Sequence, residues 1–263
     1  MTGMAEGSGY RERNSTADRA LSILQLYSDE RPELTALDVA EHLGVARSTA
    51  YRYLQTLVQS DFLAETGRGG FRLGLRILEL SRIARTGYDL TALALPRMRD
   101  LAERYRQTVL LTKQMGAAVI CLEREEAYGQ YVRLSYERGT VLDFNAGASA
   151  LVLFAWLPEA TVRELLATTQ VRKFTPKTLV EPDEIIERLA QIRQQGFALT
   201  DGEVDPNAVG IAAPVFGRDG QVLAAVSMVF IRPLVALTEI DDLVASVRST
   251  AEVITQDAAA VGR

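Results

Sequence analysis

His42 and Cys121 are the only histidine and the only cysteine in 263 residues, which bounds the chemistry available. With His42 near the N-terminus, a Ser-His-Asp or Cys-His arrangement has no imidazole to draw on in the rest of the chain. No Cys/His spacing suits zinc. Glu123 and Glu125 form a carboxylate pair that could do acid–base work, although charges at a strand end are usually solvated. Asp201, Glu203 and Asp205 could chelate a hard cation, yet such carboxylates more often serve a polar loop. No cofactor, no metal site and no enzyme activity are expected. The reactive inventory is instead one of arginine, since Lys113, Lys173 and Lys177 are the only lysines among 29 basic residues. A guanidinium is a planar fork that grips phosphate or guanine in two places.

The informative arginines lie in and after Thr35 to Leu57, TALDVAEHLGVARSTAYRYLQTL. Ala40 is small where two helices must cross closely, and four residues later Gly44 can take the left-handed conformation of a tight turn. Val45 and Leu54 anchor the second helix and leave its N-terminal half exposed. That half carries Arg47, Ser48, Thr49, Tyr51 and Arg52, hydrogen-bonding groups suited to base edges and phosphates in a major groove. Next, Phe62 to Thr66, Gly67-Arg68-Gly69-Gly70 and Phe71 to Leu73 read as strand, turn, strand. Arg68 at the tip and Arg72 on the return strand suit a wing lying along phosphates or the minor groove. The same glycines lack the spacing and the lysine of a nucleotide-binding loop. Charge argues the other way: the chain carries −5 overall, and residues 1–75 hold eight arginines against ten carboxylates. A nucleic-acid binder usually has a basic surplus, so the placement of the arginines has to matter more than their sum. A winged helix that binds protein, or an enzyme domain without nucleic acid, stands as the alternative.

These residues need elements to hold them. Residues 1–14 read as a disordered arm, without the apolar core of a signal peptide. A winged helix-turn-helix is expected over 15–73, with helices at 16–27, 36–43 and 46–59. Residues 74–88 read as a linker built on an amphipathic helix over 74–87 that ends at Gly87, and 89–263 as a larger domain. In that domain a helix is predicted over 90–106, with Pro96 near a bend or helix start. Strand-length apolar stretches fall at 109–115, 118–123, 130–135, 197–200, 209–216 and 222–230, with helices at 147–157, 159–168, 182–195 and 238–257. Arg218-Asp-Gly-Gln221 is a hairpin turn. Strands grouped on either side of helices predict an α+β fold on a mostly antiparallel sheet. The longest apolar run, Ala150 to Leu157, is far below the roughly 20 residues of a membrane span, and with a lone cysteine the chain is expected to be cytoplasmic.

Several of these stretches resemble the IclR family of transcription regulators. Ser15-Thr-Ala-Asp-Arg-Ala-Leu-Ser-Ile-Leu24 is similar to the family's opening helix, Val45 to Leu57 to its recognition helix, and Phe71-Arg-Leu-Gly74 to the end of its wing. The likeness continues through Gln195-Gly-Phe-Ala198, Gly210-Ile-Ala-Ala-Pro-Val215 and Leu223-Ala-Ala-Val-Ser227, and spans about residues 15–255. It implies a winged helix, a dimerising linker helix and a GAF-like effector domain, in proteins that repress or activate operons for catabolism of small organic acids and aromatics. Double-stranded operator DNA and a small effector are then the expected partners, with a homodimer or a dimer of dimers as the assembly. Arg19 and Thr35 join the expected DNA-contacting set. Leu75, Leu78, Ile83 and Tyr88 are candidates for the dimer contact; a core-facing stripe is the other reading of them.

For the effector, the 147–157 helix is expected to point amide N–H groups at a carboxylate. By resemblance, Ala148 and Ser149 match residues whose backbones hold small acids, and Thr200, Asp201, Glu203, Gly210, Ser227 and Val229 fall on other walls. Asn145 stands where the family often has histidine, and Ala150-Leu151 where it often has Gly-Lys. Gly210 and Val229 replace polar residues, which implies a roomier or more apolar cavity. A small carboxylate or aromatic acid is the expected effector.

Overall fold

A computed structural model describes residues 15–86, 89–128, 136–232 and 239–261. The expected N-terminal arm (1–14), the predicted strand at 130–135, and Gly87 and Tyr88 of the linker lie outside the described residues. The chain divides into two compact units, Met1–Gly87 and Tyr88–Arg263.

In the first unit, α1 (Ser15–Leu24), α2 (Ala36–Leu43) and α3 (Arg47–Gln59) pack with a three-stranded sheet of β1 (Glu33–Thr35), β2 (Leu63–Glu65) and β3 (Gly70–Leu73), in the order β1-β3-β2. The core is Ile23, Leu34, Val39, Ala50, Leu54 and Leu63 with Phe71, the hydrophobic sides of all three helices closing on one face of the sheet. β1 was not legible from sequence. Three residues are too few to show a period, and it exists because β3 supplies its ladder, Leu34 opposite Phe71. α4 (Leu75–Thr86) follows β3 directly, its start fixed to the winged helix by Gly74 N–H to Phe62 O at 2.8 Å and Arg76 N–H to Asp61 O at 3.2 Å.

The second unit is built on a six-stranded antiparallel sheet. Its strands are β4 (Thr108–Met115), β5 (Ala118–Glu125), β6 (Val141–Asp143), β7 (Ala198–Asp201), β8 (Ala208–Phe216) and β9 (Val222–Ile231), in the order β6-β5-β4-β9-β8-β7. Successive side chains alternate between two faces, and both faces are covered. Val109, Leu111, Ile211, Val226 and Met228 pack under α5 (Asp89–Tyr105) and α9 (Ile240–Val261). Ala198, Ala212 and Ala225 lie under α6 (Ala148–Phe154), α7 (Glu159–Thr168) and α8 (Pro182–Gln195). Covering on both sides explains why β8 and, apart from Ser227, β9 read as apolar runs rather than as alternating strands. The α+β, mostly antiparallel expectation holds.

Two expectations about helices are corrected. Pro96 sits in the interior of a continuous α5, not at its start. It removes one backbone donor, but Ala92, whose carbonyl loses that donor, and Pro96 are both exposed, so water can serve the carbonyl. The helix predicted over 147–157 ends at Phe154. All seven residues of α6 are buried, and a helix buried all round gives no amphipathic signal to mark its end.

Candidate nucleic-acid interface and candidate effector cleft

The turn between α2 and α3 is set by backbone chemistry. Gly44 takes φ +61, its N–H reaching Glu41 O at 3.4 Å, while Val45 N–H reaches Ala40 O at 3.0 Å. This paired closure requires a left-handed residue. Nothing lies within 4 Å of where a Cβ on Gly44 would stand, so backbone conformation alone demands glycine. α3 then buries Ala50, Leu54 and Leu57. With 3.6 residues per turn, Arg47, Ser48, Tyr51 and Arg52 fall together on the opposite side, and all four are exposed, with Thr49 partly so. The first turn of α3 contains no acidic residue. Among the described residues, no ion pair or hydrogen bond occupies the guanidinium of Arg47, Arg52, Arg68 or Arg72.

α3 is braced from three sides. Arg19 Nη1 donates to Tyr53 Oη at 3.2 Å, joining α1 to α3. Gln55 Nε2 donates to Glu65 Oε1 on β2. The Tyr51 ring meets Phe71 of β3 edge-on, with centroids 6.0 Å apart, and Tyr27 Oη donates to Phe71 O at 3.0 Å. Burial, then the Glu33 charge, push the Tyr27 phenol up to about 12.

The structure sorts the expected DNA-contacting residues. Arg47, Ser48, Tyr51 and Arg52 form one stripe with Thr49 at its margin, and Arg68 tips the hairpin turn. Arg72 does not join the stripe: strand alternation sends it from the sheet face opposite the buried Phe71, beside Glu33 and Ala64. Thr35 has its hydroxyl committed to a capping box, accepting from Asp38 N–H at 3.3 Å and donating to Asp38 Oδ2 at 2.7 Å. Thr35 N–H also donates to Asp38 Oδ2 at 2.7 Å, and Arg31 pairs with Asp38 at 2.6 Å. These bonds, Thr35's foremost, hold the Asp38 carboxyl below its ordinary range. Arg19 spends one guanidinium nitrogen on Tyr53, which gives it a positioning role.

In the second unit a cleft opens between α6 and the sheet. Cross-strand register brings its floor together. Leu110 of β4 faces Ser227 of β9, Val229 of β9 faces Gly210 of β8, and Gly210 faces Thr200 of β7. The walls add Leu142, Ala208, Val204 and Tyr136. Ser149 of α6 and Ser227 of β9 share a hydrogen bond of 2.7 Å between buried hydroxyls. Glu203 lines the cleft and accepts from the Gly147 N–H just before α6; burial raises its carboxyl above the usual range, against the opposing pull of Arg188 and that N–H. About 480 Å3 is empty, counting the mouth.

Ala148, Ser149, Thr200, Glu203, Gly210, Ser227 and Val229 of the expected effector set line this cleft. Asn145 and Asp201 do not. Asn145 is fully buried, and its Nδ2 donates to Arg172 O at 2.9 Å and Leu179 O at 3.1 Å, pinning the 172–179 segment. Asp201 is held by Arg232 Nε at 2.9 Å, with Lys177 at 3.5 Å, and Asp205 accepts from Asn207 N–H at 2.9 Å. Gly210 does not enlarge the cavity as expected. A Cβ there would stand 2.9 Å from Thr200 Oγ1 and 3.2 Å from the Ala148 Cβ, so glycine marks a close approach of β8 to α6. Leu110, Leu142, Val204, Ala208 and Tyr136 were missed. Strand alternation could have found Leu110 and Ala208; Leu142 lies on β6, three residues long and too short to show a period, and Val204 and Tyr136 lie outside the strands. The thiol of Cys121, buried beneath this region, is pushed up to about 11 by burial and by Glu123.

The sequence matches the family description "Bacterial transcriptional regulator IclR C-terminal" over residues 84–256 and "IclR helix-turn-helix domain" over 16–67. It is 32% identical to the HTH-type transcriptional regulator XynR of Escherichia coli K12 over 215 residues, covering 81% of this chain and 84% of that one. Among solved structures, an IclR homologue from Microbacterium hydrocarbonoxydans complexed with 4-hydroxybenzoate has a TM-score of 0.75 at 26% identity, covering 92% of this chain and 98% of the other. An IclR transcriptional regulator from Alicyclobacillus acidocaldarius has a TM-score of 0.79 at 24% identity, covering 92% and 98%, and shares the fold. With a braced helix-turn-helix at one end and family matches running through both units, the chain belongs to the IclR family of bacterial transcriptional regulators.

Proposed function

We propose that this regulator binds operator DNA as a dimer and that a small organic or aromatic acid in the α6 cleft controls its operator affinity. The observation that carries the DNA half is the stripe of Arg47, Ser48, Tyr51 and Arg52, whose guanidinium groups have no partner among the described residues and whose helix is braced from behind. Such groups are desolvated without the loss of an internal pair when the helix enters a major groove. Arg68 at the turn is suited to backbone phosphate, and this local supply of cations answers the net charge of −5.

A dimer is supported by α4. Leu75, Leu78 and Ile83 stand 79%, 66% and 48% exposed and fall within one arc of the helix. They do not form a core-facing stripe within the described chain. Covering each leucine in a partner would contribute about 1.5–3 kcal/mol, and two-fold copies would read paired half-sites.

Effector control is supported by a cleft that combines apolar walls with a few convergent polar groups, and by the 4-hydroxybenzoate in the related Microbacterium structure. The test is a mobility shift with the DNA beside the protein's own gene, repeated over a panel of small aliphatic and aromatic acids. A retarded band that one class of acid strengthens or weakens supports the reading. Failure of every acid to alter a specific band would refute effector control, and absence of any specific band would refute operator binding.

A further inference from the structure

Glu203 is a carboxylate inside the cleft read above as an acid site. Its neighbours there are hydroxyls and apolar walls, Ser149, Thr200, Ser227, Tyr136, Leu110 and Val229. No described residue lining the cleft is lysine or arginine. An ionised carboxylate has room for about four hydrogen bonds; among the described residues one backbone donor, Gly147 N–H, serves it, together with the field of Arg188. Ser149 and Ser227 already bond each other at 2.7 Å. Glu203 therefore brings unused acceptor capacity into a confined, weakly polar space, where an unmet acceptor is costly. While ionised, Glu203 would repel a ligand carboxylate set directly against it. A ligand hydroxyl would satisfy it. A ligand ammonium would attract Glu203 but would also meet the charge of Arg188 that already acts on it.

Resting on the reading of this cleft as the effector site, we propose that Glu203 selects effectors bearing a hydroxyl group, accepting a hydrogen bond from it. The cleft then takes small hydroxy acids in preference to their deoxy counterparts. The acid end of the ligand points away from Glu203, and the hydroxyl end points toward it.

The test is calorimetric titration of the full chain with matched pairs: propionate and lactate, butyrate and 3-hydroxybutyrate, benzoate and 4-hydroxybenzoate. For at least one pair the hydroxylated member should bind about tenfold or more tightly than its twin. Glu203→Gln removes the charge, so the deoxy acid should gain affinity and the ratio should fall to within about threefold. Glu203→Asp, which keeps the charge but shortens the reach, should lower the ratio without improving the deoxy acid, and carries the test if E203Q does not fold. Equal binding within every pair that binds, or a ratio unchanged in both variants, overturns the selection by Glu203 while leaving the cleft an acid site. Tighter binding of β-alanine than of 3-hydroxypropanoate also overturns it. If no member of any pair binds, the reading of the cleft falls first and this proposal with it.

Discussion

Replacing Arg47 or Arg52 with alanine separates a DNA-binding role from a folding role, because the structure sets the two expected magnitudes far apart. Neither guanidinium has an internal partner among the described residues, and both side chains are exposed. Folding stability should therefore move by no more than about 0.5 kcal/mol. In a dimer each substitution acts twice. If the arginine rests on phosphate, two cations are lost and the slope of log affinity against log salt should flatten by about 1.8, at about 0.9 per phosphate. If it forks a guanine, each half-site loses about 1–3 kcal/mol, so the dimer loses about 2–6 kcal/mol, a fall of about thirtyfold or more. The phosphate case weakens all sequences alike, whereas the guanine case weakens the operator alone. Fluorescence anisotropy on operator and scrambled duplexes across a salt series reads both quantities, with thermal unfolding as the control. Wild-type affinity at every salt in both variants would refute the assignment of this helix face. So would a loss of affinity matched by a lowered unfolding midpoint, since that would make the arginines structural.

Thr35→Ala should lower stability by about 1 kcal/mol through loss of the capping box. Thr35 is the foremost cause of the depressed Asp38 carboxyl; that stabilisation is present above about pH 4 and is lost as pH falls through the lower folded value, so T35A should show a flatter acid limb in a denaturation series. Gly210→Val should destabilise the second unit by about 1–3 kcal/mol, because its side chain meets Thr200 and Ala148; an unchanged denaturation midpoint would mean β8 and α6 are not held so closely. Cys121, its thiol pushed up to about 11, should resist a thiol reagent at pH 8 until the protein is denatured; rapid labelling of the native chain would contradict its burial.

Periodicity made much of this fold legible. α2, α7 and α8 fall on their expected residues because each has an amphipathic face and a polar or glycine boundary, as at Gly44 and Gly196. The end of α6 was misplaced because the helix is buried all round and has no polar face to mark where it stops, and β1 escaped because three residues are too few to show a period. The DNA-facing stripe was legible because exposure on α3 follows from the buried positions Ala50 and Leu54. The cleft was legible only in part. Strand and resemblance signals found Ser227 and Gly210, yet they gave Gly210 the opposite physical meaning, since a missing side chain reads the same whether it leaves room or permits contact. Asn145 was misplaced because a polar residue beside a pocket and one that pins a neighbouring loop look alike until the acceptors at Arg172 and Leu179 are known.

The position of α3 on DNA can be read by attaching an iron chelate to a cysteine introduced at Ser48→Cys, the buried Cys121 remaining unlabelled, and mapping where the bound duplex is cut. Cuts confined to a few base pairs inside each of two symmetric half-sites are the expected result, with none from the same label at Ser22→Cys on α1. Retained operator binding without cuts from Ser48→Cys, or cuts from the Ser22→Cys label instead, would place some other surface against the duplex.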